Sequence, residues 1–339
     1  MKFYLVMLTL LLSACDSAVE PSTDYQKRIQ NVLSVDVSLE KSDRLTYPRQ
    51  RLLVKQDRKK KNSISIREFL SLRECKLHLV LAQRNSLIGK VAPASQLMFN
   101  DLQILEYIPE CIEQLVEKNN TLIAQKLESY FKLKQSDIMN SLWKAILGSS
   151  ENASFWQEQP QPENYPLSLN QESNKDIVAL IQFVEKVKLA HYHFSKKQVT
   201  DIEQSLKALQ NGDGGYLLKK MTSLEKDLNL ANKAIQLRIE RPLCLNSKPT
   251  QKAYYFKNVV NLYFIEKVQV QAVHLTQRYR QLMKNYLQLE SALEKGSPLN
   301  YQQWKKQRDQ QFELSLNISK KHAGKVQLLF NQCGLTVGR

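Results

Sequence analysis

The residue with the most specific chemistry written around it is Cys15. Leu12-Ser13-Ala14-Cys15 follows a charged start at Lys2 and an apolar run from Phe3 to Leu12, the order of an export signal. That run is too short to span a bilayer, which takes roughly 20 residues. The same four residues look like a bacterial lipobox. There the thiol takes a diacylglyceryl group, the peptide is cut before the cysteine, and the new amine is acylated, palmitate being an expected chain. Two or three chains anchor a protein stably, since each buried methylene contributes about 0.8 kcal/mol. Loss of signal residues 1–14 removes only Lys2, so the mature chain keeps 325 residues of 339 and a formal charge of +15 out of +16. Asp16 resembles the sorting residue that keeps enterobacterial lipoproteins out of the outer membrane, which favours the inner membrane, facing the periplasm. Residues 15–23 form a lipidated tether whose eight residues from Asp16 to Thr23 reach at most about 28 Å.

Four further thiols remain: Cys75, Cys111, Cys244 and Cys333. An even number in an oxidising compartment favours two disulfides, with three connectivities open. Cys75–Cys111 and Cys244–Cys333 are preferred because each pair lies within one half of the chain. The first pair carries a difficulty. In a simple hairpin of helices ending near Arg84 and restarting near Ala94, Cys111 falls opposite residue 67. That is about 12 Å from Cys75 along the axis, so either the connection is longer or the pairing differs. No CxxC spacing exists, which leaves a redox motif or zinc ribbon without support.

Positive charge is concentrated. Arg44, Arg49, Arg51, Lys55, Arg58, Lys59, Lys60 and Lys61 are opposed only by Asp57, a net +7 within residues 44–61. Close to a bilayer each such cation contributes about 1 kcal/mol of attraction to anionic lipid. The expected partners are therefore the membrane, through the anchor, and anionic headgroups or an acidic envelope protein; a merely solvated charge run is the plainer alternative. Nucleic acid suits the charge, but export removes that partner. A second candidate is the loop around Arg84, Asn85, Ser86 and Lys90. Asn85 and Ser86 suit helix ends, Gly89 permits positive φ, and Arg84 suits loop carbonyls or a carboxylate. A structural connection is the plainer reading, a site for an anionic group the sharper one. It is no P-loop, since Val91 stands where Ser or Thr is required.

Other constellations are weaker. Glu106, Glu110, Glu113 and Glu117 share one helix face, as a solvated or salt-bridged stripe rather than an acid/base or cation site. His191 and His193 diverge on a helix and do not suit one metal, while His78, His274 and His322 read as structural. Ser38-Leu39-Glu40-Lys41 and Ser223-Leu224-Glu225-Lys226 match S-x-x-K without the companion motifs of penicillin-binding proteins. Neither a nucleophile elbow nor H-E-x-x-H is present. Catalytic residues, metal ligands and a cofactor are thus not assigned.

The elements that must position these groups are helices. With 42% apolar residues, only 9 Gly and 10 Pro, the chain is neither disordered nor all-β. Ser65-Ile66-Arg67-Glu68 fits a capping box before an apolar stripe reaching Leu81. Pro93 suits the first position of a second helix, which Pro109 should kink. A third runs from Leu122 to Leu147. Pro160, Pro162 and Pro166 mark a Pro-rich linker over 151–170, joining helical halves 24–150 and 171–339. Helices resume over Asp176–Lys196, from Thr200 to Gln210, and from the turn Asn211-Gly212-Asp213-Gly214-Gly215 to about Arg241. Residues 252–293 read as helix, with a strand competing because of Val259, Val260, Val268, Val270 and Val273. A last helix ends at Cys333, with Gly334 as its cap. The fold class is all-α, a helical bundle.

The stretch from Arg84 to Gln96, with Tyr47-Pro48-Arg49, Cys75, Cys111 and the lipobox, resembles a family of uncharacterised gammaproteobacterial lipoproteins, domain of unknown function 3080, from about Tyr25 to Gly334. The resemblance implies an envelope lipoprotein with no known reaction, and carries over no site residue. The function expected is a non-enzymatic, membrane-anchored interaction or scaffold role. A cell-envelope enzyme related to peptidoglycan, or a carrier of a small apolar ligand, is the alternative.

Overall fold

A computed structural model describes residues 19–38, 45–49, 53, 65–162, 165–166, 173–240, 243–246 and 248–336. Cys15, Asp16, Arg44, Arg51, Lys55, Arg58, Lys59, Lys60 and Lys61 lie outside the described residues. The described chain is almost entirely helical, with one two-stranded hairpin. None of its helices is long and apolar enough to cross a membrane.

Two compact units divide the chain, and the division does not fall at 151–170. One unit gathers residues 1–39, 226–271 and 319–339; the other holds 40–225 and 272–318. In the first unit, helix α1 (Pro21–Leu33) opens on a proline whose missing N–H is not needed there. Tyr25, Ile29 and Leu33 recur every fourth residue and are fully buried, a single apolar stripe. They pack on α11 (Gln251–Val259) and on the π-helical stretch Val260–Val268 that continues it. Val260, Phe264 and Val268 supply a matching four-residue stripe, so burial along one face outweighs the strand preference of the valines. Strands Cys244–Leu245 and Lys248–Pro249 form the hairpin, Cys244 opposite Pro249. Cys244 is paired with Cys333 at a Cα separation of 5.4 Å. Cys333 follows the end of the last helix (Leu299–Gln332), beside Gly334 at φ +63°, the left-handed cap that glycine favours.

The second unit begins its described helices with α2 (Ile66–Leu70). The expected capping box is present: Ser65 Oγ accepts the Glu68 N–H, and Glu68 accepts the Ser65 N–H. The helix lasts only five residues, and the chain turns before α3 (Lys76–Asn85). Cys75 immediately precedes α3 and pairs with Cys111 of α5 (Ala94–Glu117), Cα to Cα 5.3 Å. The connection is no longer than expected, since α3 ends at Asn85 and α5 starts at Ala94; Ser86–Pro93 holds the further helical turn α4 (Leu87–Lys90) in place of a simple hairpin turn, and the two cysteines meet. Pro109 lies inside α5. A turn with Asn119 at φ 59° leads to α6 (Thr121–Ile146), which packs along α5.

The stretch expected as a linker contains α7 (Ser150–Phe155), and Phe155 and Trp156 are buried. Proline and polar residues signalled a boundary, but two large aromatics inside the same stretch make it core. Gly212 and Gly214 serve that core. A Cβ at either would overlap the Phe155 ring, so these glycines allow close approach. Helix α8 (Ser173–Lys188) stops short of the expected Lys196, with Ala190 at φ 60°. Ser195 and Gln198 form a second capping box on α9 (Lys196–Leu209). Helix α10 (Gly214–Ile239) follows the glycine turn, and α12 (Gln269–Ala292) and α13, the last helix, are separated by residues 293–298.

Candidate functional site

The α3–α5 connection is built to hold its shape. Ser86 caps α4, its Oγ accepting the Gly89 N–H at 3.0 Å and donating to the Gln83 carbonyl at 2.8 Å. Arg84, on the last turn of α3, reaches the Asp101 carboxylate at 3.7 Å, the carboxylate option of its sequence reading. Asp101 is itself buried, accepting Lys134 Nζ and Ser141 Oγ at 2.7 Å each. Gly89 does not use positive φ. It is buried, and a Cβ there would overlap the Gln83 carbonyl oxygen and lie 2.8 Å from that of Arg84. Glycine is required for contact, not for conformation. Asn85 and Lys90 are exposed. What the sequence reading missed is the outer face: Leu87, Ile88 and Val91 are 84%, 80% and 83% exposed.

A second cluster lies inside the same unit. Arg308 on α13 is fully buried and donates to both oxygens of Glu290 on α12, at 2.7 and 2.8 Å. Its Nε donates to Asp309 at 2.9 Å, and Tyr301 donates to Glu290. The guanidinium lies over Trp156 at 4.8 Å and Trp304 at 5.0 Å, the stacking that suits arginine. Trp156 donates to Tyr286, Tyr286 to Asn152, and Asn152 to Tyr47, whose hydroxyl donates to the Leu147 carbonyl. Burial holds the Tyr286 and Tyr301 phenols well above the ordinary range, so they stay protonated donors. Outside this cluster runs an open groove of about 870 Å³ between α12 and α13, with Glu290, Tyr301, Lys305 and Asp309 among its walls. Two of the carboxylates that line it are engaged, Glu290 by Arg308, and Asp309 by Arg308 and by Lys305 at 2.7 Å, while Glu294 and Glu313 line it as well. The Arg308, Glu290, Asp309 and Lys305 side chains thus form an ion-pair network along one part of the groove.

In the first unit, His322 is fully buried with Nδ1 2.8 Å from Asn232 Oδ1 and Nε2 2.7 Å from the Tyr25 hydroxyl. With the Asn232 oxygen facing the ring, Nδ1 carries the proton and Nε2 accepts from Tyr25. Burial pushes the imidazole down to about 3 and the Tyr25 phenol well up, so both are neutral. Ser22 and Thr23 donate to Asp227 at 2.8 and 2.7 Å, tying the start of α1 into this unit.

The remaining candidates separate. Arg49 is exposed. His191 and His193 sit in the α8–α9 connection, not on a helix; His193 bonds Glu106 at 2.7 Å and His191 packs on Phe194. Glu110 pairs with Lys76, so the acidic stripe is in part salt-bridged. No group of three metal-ligating side chains occurs among the described residues. The sequence reading passed over Asp213, which lies in the glycine turn yet is buried against Arg278 and Tyr165. It passed over Arg308 too. The available signal was one charge on the stripe Tyr301, Trp304, Arg308 and Phe312, all within one helix face.

A family model described as "protein of unknown function (DUF3080)" matches residues 22–337. No curated protein and no solved structure matches the chain.

Proposed function

The chain belongs to this family of proteins of unknown function, and from that premise we propose that it is a lipid-anchored, periplasm-facing protein of the bacterial envelope with a non-enzymatic interaction role. Cys15 carries the lipid, Asp16 favours the inner membrane, and the basic residues Arg49, Arg51, Arg58, Lys59, Lys60 and Lys61 face anionic headgroups or an acidic envelope protein. The observation that carries this reading is the position of α1. Its first turn, from Pro21, is folded and bonded to Asp227, so the tether is not the eight residues from Asp16 to Thr23 but the five from Asp16 to Glu20. Five residues reach at most about 18 Å, which keeps the unit that begins at α1 beside the headgroups. The groove of the other unit supports an enzyme reading less well, because two of its carboxylates, Glu290 and Asp309, are held in ion pairs. Its charged walls equally disfavour an apolar cargo.

Mass spectrometry of the N-terminal peptide from the membrane fraction, with palmitate labelling of growing cells, tests the proposal. The expected product begins at Cys15 with a diacylglyceryl thioether and an acylated amine. A product that retains Met1, or that leaves the cells in osmotic shock fluid, overturns it.

A further inference from the structure

We infer that the α4 tip, Leu87-Ile88-Gly89-Lys90-Val91, is a membrane-inserting element that enters the interface of an anionic bilayer. The inference deepens the envelope reading and rests on it for the anchoring of the chain to a membrane. Successive residues on a helix turn by about 100°. Leu87, Val91 and Ile88 therefore share one side of a single turn, Gly89 lies opposite, and Lys90 flanks Leu87. The exposures follow this wheel: Gly89 is buried, and the three apolar side chains are each at least 80% exposed. Three large aliphatic groups side by side on this turn are not packed against any of the described residues. The backbone beneath them is fixed by the Ser86 cap and by the close approach of Gly89 to the Gln83 and Arg84 carbonyls. The tip is thus preorganised to show its apolar face outward.

Charge selects the occupant. From Lys76 to Asn100 the sequence has no Asp or Glu; Lys76 is paired with Glu110 and Arg84 with Asp101, so the cation that the tip itself offers is the exposed Lys90. An apolar wedge bordered by an exposed lysine, with no carboxylate in the segment that carries it, matches the region where acyl chains meet anionic headgroups. Lys90 has the reach to extend its ammonium to phosphate while its methylene stem follows Leu87 into the apolar layer.

The full chain carrying Cys15→Ser, so without acyl groups, is mixed with vesicles of phosphatidylethanolamine alone or with phosphatidylglycerol, and pelleted. The expected result is binding to the anionic vesicles that falls roughly tenfold or more in Leu87→Ser/Ile88→Ser/Val91→Ser, and falls by a smaller factor in Lys90→Glu. A Leu87→Trp version of the acylated protein, reconstituted in vesicles with brominated acyl chains, should show emission quenched beyond that of the parent protein. Unchanged pelleting of the triple variant together with an unquenched indole overturns the inference. So does a triple variant that alters only the oligomeric state in sedimentation velocity, because the tip then binds a second copy. An unmodified Cys15 in cells overturns the anchoring proposal instead, leaving this vesicle comparison to stand or fall by its own result.

Discussion

Arg308 and the α4 tip reverse the usual placement of side chains in opposite directions. One puts a permanent charge where no solvent reaches it; the other leaves three aliphatic side chains almost wholly in water. The surroundings differ as much as the placement. Arg308 has both Glu290 oxygens, Asp309 and two indole faces within reach, so its desolvation is offset inside the chain and the cluster is structural. Leu87, Ile88 and Val91 have no such compensation among the described residues. An unsettled cost at the surface points outward to a partner, whereas a settled cost in the interior points to stability.

Removing one side of the buried pair gives the largest effect. Glu290→Ala leaves a buried guanidinium short of its main acceptor and should cost about 3–5 kcal/mol, measured by urea unfolding followed by circular dichroism. A cost below about 1 kcal/mol would mean that Arg308 is not settled internally, and the contrast would fail. Next comes pH, through His322. Its imidazole titrates near 3 when folded and near its ordinary value of about 6.5 when unfolded. The unfolded chain therefore takes the proton first. The contribution is whole above about pH 6.5 and is lost progressively as pH falls toward 3, on the order of a few kcal/mol in all. His322→Gln should flatten the slope of stability between pH 6.5 and 5. Glu68 is held down to about 2 by Lys126 and by the Ser65 cap, so its own loss begins lower, in the carboxylate range.

A smaller effect is expected at the base of the tip. Gly89→Ala forces a methyl group against two backbone carbonyls and should cost about 1–3 kcal/mol, with thermal unfolding as the readout. Least of all, Leu87→Ser/Ile88→Ser/Val91→Ser should change stability by about 0.5 kcal/mol or less, as for surface positions without internal partners. A large loss there would place these side chains in the core of the folded protein and remove the reason for an external partner.

The helical fold was legible because burial along a helix writes itself into spacing: Tyr25, Ile29 and Leu33 on α1, or the capping box at Ser65 and Glu68. The preferred cysteine pairing agrees with the observed proximities. Boundaries were less legible. Proline and polar residues made 151–170 look like a linker, while Phe155 and Trp156 belong to the core. The helix expected through His191 and His193 ends at Lys188, where no proline marks the stop.

Amino-acid order by itself determined the lipobox pattern at Cys15, the density of cations over 44–61 and the all-helical character, since each depends on neighbours within a few residues. Tertiary structure alone decided that Arg308 meets Glu290, that His322 meets Tyr25 across 297 positions, and that Gly89 faces inward while Leu87 faces out. The physical reason is range. Helix periodicity is a local property of the backbone, whereas whether a charge or an apolar group finds compensation depends on what distant chain segments bring beside it.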